Sequence, residues 1–299
     1  MNRKILRALY APQPKGQLTM SEHRASVNAV CVFPAGKYWE QSYGPRIVSG
    51  SDDGSLLIWD PETGVTNRIG EHEDWVRSVC VLPGAGGGAP RIVSGSGDKT
   101  VRVWREQEEG VWKWELAGEH ENGVNSVCVL PGTGGGAPRI VSGSWDKTVR
   151  VWREQEEGVW KWELAGEHED WVRSVCVLPG AGGGAPRIVS GSRDGTVRVW
   201  REEQRKGWEE QICLQLDSSV SSFASYEHYI LIAQDNQTVR VWLPDEDPEG
   251  QHMLWIKVPA SIESVIWNVD PQTGTLHKPE IIAGTSRGLA TFTIGDLPF

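Results

Sequence analysis

Between residues 70 and 104 the chain alternates apolar and polar residues in three short runs, SVCVL, PRIVSGS and TVRVW, separated by glycine, proline, aspartate and lysine. Successive strand side chains point to opposite faces, so β-branched alternation of this kind predicts strands bounded by turns. A fourth run, VWKWELAG, follows the tryptophan and leads into the next histidine. The block then recurs, with His72, His120 and His168 each 48 residues apart. A self-similar period of this length means that each unit buries its faces only against its neighbours. The pattern predicts an all-β fold: a closed β-propeller of four-stranded antiparallel blades.

Six third strands can be counted, ending near Trp59, Trp104, Trp152, Trp200, Trp242 and Thr293, so six blades are expected, with seven the alternative. The units run at approximately 21–60, 69–104, 117–152, 165–200, 214–242 and 256–293, within one domain spanning 1–299. Unit five is degenerate, with Leu216, Ile232 and Asn236 where the others have His, Ser and Asp; unit six has Arg287 at the Asp position. Residues 1–20 precede the first histidine and are expected to supply the ring-closing strand, from either 5–9 or 17–20.

Composition narrows the function. A net charge of −10 argues against nucleic acid, because phosphate binding depends on Lys and Arg releasing counterions. There is no apolar run long enough to span a bilayer, and MNRKILRALY is too short for a signal peptide, so a cytoplasmic monomer without membrane contact is expected. Cys31, Cys80, Cys128 and Cys176 hold the same place in successive units, which explains their spacing by repetition; Cys213 lies in a different strand.

His72, Ser94, Asp98 and Trp104, together with the S-G-S-x-D-x-T-V-R-V-W string, resemble the WD-repeat family of propellers. Two features depart from its pattern: Gly-Glu-His replaces Gly-His in units two to four, and only Trp59-Asp60 keeps the Trp-Asp pair. The resemblance implies one hydrogen-bonded network per blade: His23, Ser49, Asp53 and Trp59; His72, Ser94, Asp98 and Trp104; His120, Ser142, Asp146 and Trp152; His168, Ser190, Asp194 and Trp200. Pairing of buried polar groups supports the same reading, with Ser96 an alternative to Ser94 on the same strand face.

Four copies of a His, Ser and Asp set, each with its serine inside a strand, fit a structural network better than a hydrolase, which needs one exposed nucleophile beside an oxyanion hole. The GAGGGAP loops lead into strands and lack the Lys-Ser or Lys-Thr of a phosphate cradle. No metal-ligand motif is present, and no cofactor is expected. Trp112, Trp114 and Leu116 share one face of the outer strand and are expected to pack on the neighbouring blade.

Function is sought where the units differ. Units two and three differ at five of 48 positions: Asp74/Asn122, Trp75/Gly123, Arg77/Asn125, Ala85/Thr133 and Gly97/Trp145. Unit four departs from unit two over the shared stretch only at Arg193 for Gly97 and Gly195 for Lys99. All but Ala85/Thr133 fall just after the histidine or beside the turn aspartate, in loops that meet on one rim. Trp and Arg are frequent binding anchors. The expected site is therefore an arc of Trp75, Arg77, Trp145, Trp171, Arg173 and Arg193, with Asn125 and Asp52 beside it. It faces a smaller, more acidic half that carries Ser26, Asn28, Ser219, Ser221, Asp235, Ser261 and Glu263. A non-enzymatic platform for a protein or peptide partner follows, in keeping with a recognition module of a sensor system. A glycan or small-ligand binder is the alternative, and an enzyme with its site in the central funnel comes third.

Overall fold

The computed structural model describes residues 8–10, 22–38, 41–84, 88–108, 110–180, 184–268, 280–286 and 288–293. Six four-stranded antiparallel sheets follow one another as the blades of a propeller. In blade two the strands Val76–Leu82, Arg91–Ser96, Thr100–Glu108 and Val111–Glu119 pair in chain order from the axis outward, and blades three and four repeat this. Blade one runs from Val27–Phe33 to Thr66–Glu71, and blade five from Val220–Tyr226 to Leu254–Lys257. Blade six combines Ile262–Asn268, Glu280–Thr285 and Gly288–Thr293 with Ala8–Tyr10 from the other end of the chain, Tyr10 lying opposite Ala290. Of the two candidate closing segments, 5–9 overlaps this strand at Ala8 and Leu9, while 17–20 lies outside the described residues, as does Arg287. No helix among the described residues is long and apolar enough to cross a membrane.

Small residues let the blades approach. A Cβ on Gly50, Gly95 or Gly143 would lie 2.4–2.6 Å from Val76, Val124 or Val172 of the next blade. At the outer strands, Gly70, Gly118 and Gly166 make room for the indoles of Trp104, Trp152 and Trp200 in the same way. Each of these three seams therefore closes around a valine pair and a buried tryptophan, and a buried side chain of this size contributes about 1.5–3 kcal/mol. The four serially placed cysteines sit in this interior, and burial pushes the thiols of Cys31 and Cys176 up to about 12.

A belt of ion pairs fastens the seams on the side away from the turn aspartates. Arg91 makes two parallel bonds to Glu154 (2.9 and 2.6 Å), Arg139 to Glu202 (3.0 and 2.7 Å) and Arg187 to Asp245 (2.6 and 2.8 Å). Arg46 reaches Glu106 at 3.3 Å. Every pair joins a second strand to the next blade, and those of Arg91, Arg139 and Arg187 have the forked geometry that gives arginine its strongest carboxylate contacts.

The expectation for the outer-strand tryptophans needs correcting. Trp112 does pack on the neighbouring blade, 5.9 Å edge-on from Phe33, but Trp114 and Leu116 are 51% and 42% exposed. The space beneath Trp114 is filled by Arg102, whose guanidinium lies 4.2 Å from the ring, so the indole covers an arginine instead of entering the seam.

The junction between blades six and one differs from the other five. Gly284 holds the place of Gly95, but among the described residues the atoms nearest a Cβ there belong to Ser264 of its own blade, and Val27 and Val30 are 44% and 62% exposed where Val76 and Val79 are buried. Ala8–Tyr10 pairs with the last strand of the sixth blade. Val79→Asp should therefore destabilise by more than about 3 kcal/mol, and Val30→Asp by less than about 1 kcal/mol. Urea midpoints check this; equal losses would mean that the two seams are packed alike.

Candidate functional site

One polar chain is built into each of blades two to four. In blade two, Trp104 Nε1 donates to Ser94 Oγ (2.7 Å), the serine hydroxyl donates to His72 Nε2 (2.7 Å), and His72 Nδ1 donates to Asp98 Oδ2 (2.8 Å). The acceptors fix the histidine tautomer. Blade three repeats these distances within 0.1 Å, with Trp152, Ser142, His120 and Asp146. In blade four Trp200, Ser190 and His168 keep the pattern, but Nδ1 turns to Thr196 (2.8 Å), with Asp194 at 3.3 Å. In blade one His23 bonds Ser49 and Ser55, and Asp53 lies 3.5 Å away. Ser96 serves a different role, accepting from Asp98 N and donating to Asp74 O.

Sequence reasoning missed two members. Thr100 Oγ1 donates to Asp98 Oδ1 (2.6 Å), and Arg102 donates to Asp98 Oδ2 (3.0 Å) and to the Glu71 carbonyl (3.0 Å). Their signal was present in the repeated T-V-R-V-W string, where strand alternation puts Thr, Arg and Trp on one face. Burial raises the pKa of Asp98, but hydrogen bonds from His72 and Thr100 outweigh it and hold the carboxyl well below the usual range. Asp146 behaves alike. Burial lowers the pKa of His72 and His120 against the opposing pull of their aspartates, keeping both rings neutral at pH 7. As a catalytic triad the set is unusable, because Ser94 is fully buried and its oxygen already serves both Trp104 and His72.

This network fixes the turn, and the turn sets the rim. In every blade a backbone bond joins the loop after the histidine to the residue before the turn aspartate: Gly97 N to Trp75 O, Trp145 N to Gly123 O and Arg193 N to Trp171 O, each 2.9 Å. The varied positions are thus neighbours within a blade. They also stack between blades. The Arg77 guanidinium lies 4.8 Å from the Trp75 ring and 4.2 Å from Trp145, Trp145 and Trp171 are 5.3 Å apart, and Arg193 lies 4.7 Å from Trp171. Five of the six arc residues therefore form one continuous stack over blades two to four. Burial lowers the pKa of Arg77, opposed by the nearby charges of Asp52 and Asp74.

The remaining candidates are engaged elsewhere. Arg173 makes two 2.8 Å bonds to Asp235, which joins the arc to the half expected to be acidic. Asn125 donates to the Val172 carbonyl, and Asn28 to Asp52 and the Val76 carbonyl, so both tie first strands together. Lys99 and Gly195 share a left-handed turn position (φ 75° and 81°), so that exchange follows backbone conformation. Gly123 is coupled to Trp145: a Cβ there would lie 2.8 Å from the indole. The Trp75/Gly123 and Gly97/Trp145 differences are one joint substitution.

Residues 15–60, 65–105, 114–153 and 162–201 match the WD40 family, described as "WD domain, G-beta repeat". Among curated proteins, the nuclear distribution protein PAC1-2 of Uncinocarpus reesii is 41% identical over 71 residues, covering 23% of this chain and 16% of that protein. The nuclear distribution protein PAC1 of Arthroderma otae is 40% identical over 74 residues, 24% of this chain and 16% of its own length.

Asp146→Ala strands the buried His120 donor and should destabilise by about 1–3 kcal/mol, whereas Asn236, whose side chain accepts from the Thr238 backbone N–H, should cost less when changed to Ala. Equal urea midpoint shifts would contradict this. Acid should destabilise in two stages. The unfolded chain binds protons more tightly at both residue types, so stability is complete above about pH 6.5, falls as unfolded histidines charge, and falls again below about pH 4 as aspartates protonate. Stability rising between pH 7 and 5 would refute it.

Proposed function

This chain belongs to the WD40 family of repeat proteins, and we propose that it is a non-enzymatic interaction platform whose rim stack binds a protein or peptide. One observation carries the reading: Trp75, Arg77, Trp145, Trp171 and Arg193 form a continuous stack across three blades whose remaining sequences are almost identical. Drift alone would spread differences over both rims, yet the opposite loops differ only at Ala85/Thr133. Units that match in the core and differ at the rim suit a recognition module of a sensor system, acting as a single-domain monomer in the cytoplasm without nucleic acid or membrane.

The geometry also weighs against the glycan alternative. A sugar needs a free aromatic face, and the Trp145 ring has the Arg77 guanidinium 4.2 Å away and the Trp171 ring 5.3 Å away. The PAC1 proteins are named for nuclear distribution; with 16% of their length matched, that role is not carried over to this chain.

The exchange Gly123→Trp with Trp145→Gly tests the reading, because it recreates the Trp75 and Gly97 combination that blade two already folds with. It should weaken capture of partners recovered by wild-type affinity purification at least about tenfold, with the thermal midpoint nearly unchanged. Undiminished capture of every recovered partner would move the recognition surface away from the rim.

A further inference from the structure

The stack is unusual in what its members leave unused. No hydrogen bond to Nε1 of Trp75, Trp145 or Trp171 occurs among the described residues, whereas the core indoles of Trp104, Trp152, Trp200 and Trp242 all donate. Arg77 donates to no described residue, and its Nε is buried without an acceptor. Arg193 is exposed, and Asp170 approaches it only to 3.8 Å. Trp145 and Trp171 each have two stacking neighbours, so the groups that this part of the stack has left for a partner are indole and guanidinium N–H groups, all of them donors.

From this we infer that the rim recognises an acidic peptide segment carrying two carboxylates, one received by Arg77 and one by Arg193, with uncharged residues between them. The inference rests on the rim being the interaction surface and adds the chemistry of the partner. Two indole rings separate the guanidiniums, at most on the order of 14 Å along the stack, which about four extended residues span. The flanking carboxylates restrict the pattern. Asp74 and Asp170 fold back to accept from the backbone N–H of Trp75 and Trp171, and Asp52 accepts from Asn28, so acids placed beside the two guanidiniums meet like charge. Over Trp145 and Trp171, uncharged residues with backbone carbonyls fit the indole donors.

The test uses three end-blocked seven-residue peptides that differ only at positions two and six, where they carry glutamate, glutamine or phosphoserine. Each is titrated into the full chain and followed by calorimetry and tryptophan fluorescence. The glutamate peptide should bind, at least tenfold tighter than the glutamine peptide, and weaken as salt is raised. Arg77→Asn and Arg193→Gly should each lower its affinity several-fold, while Arg173→Asn, whose guanidinium is held by Asp235, should leave it unchanged. Equal binding of the glutamine peptide, sensitive to the Gly123→Trp and Trp145→Gly exchange, would keep the rim as the interaction surface and overturn the acidic partner. Binding of the phosphoserine peptide alone would overturn the carboxylate in favour of phosphate. Failure of all three peptides, or loss of binding in Arg173→Asn equal to that in Arg77→Asn, would overturn the inference.

Discussion

The third-strand tryptophan binds two levels of structure together. Its ring fills the space over a glycine of the preceding blade, Trp104 over Gly70 and Trp152 over Gly118, while its N–H donates to the serine of its own blade. The orientation that packs the seam is therefore the one that completes the polar chain through histidine to the turn aspartate. Loss of either half leaves a void or an unpaired buried donor, each costing on the order of 1–3 kcal/mol or more. Blade five keeps the packing half alone: Trp242 is fully buried, but Ile232 replaces the serine and the indole donates to the Asp247 carbonyl.

Because the turn is held from below, the rim can vary without disturbing the blade. Rim side chains are not independent, however, since the second residue of a first strand reaches the next blade. Arg77 meets Trp145, Arg173 meets Asp235 and Asn125 meets the Val172 carbonyl. Some differences between units are thus matched across seams, and a substitution at one position is tied to its partner in the following blade. This divides the arc into residues spent on the ring, Arg173 and Asn125, and residues with donors to spare, Arg77 and Arg193.

The repeat made most of the fold legible. A 48-residue period with four alternating runs leaves few arrangements, and the conserved spacing of His, Ser, Asp and Trp marked the residues that converge in blades two to four. Contacts between blades were harder to read, because a unit compared with itself says nothing about which neighbour a side chain meets. The exposure of Trp114, the ion-pair belt from Arg91 to Glu154 and the engagement of Arg173 by Asp235 all arise at seams. The sixth junction was hidden for the same reason: Val27 and Val30 match Val76 and Val79 in type but not in surroundings.

Near-identity of the units makes the rim informative, since it removes alternative causes for each difference. Lys99/Gly195 is explained by a left-handed turn, Gly123 by the volume of Trp145, and Asn125 by a first-strand bond. None of these accounts for an indole at Trp145, which needs a glycine opposite it, or for Arg193, which Asp170 holds only loosely. Blade two folds with Gly97 at the same position, so the scaffold does not require either side chain. Trp145 and Arg193 extend the short Trp75 and Arg77 pair of blade two into a stack across three blades, and that extension is where a partner would find something a single blade cannot offer.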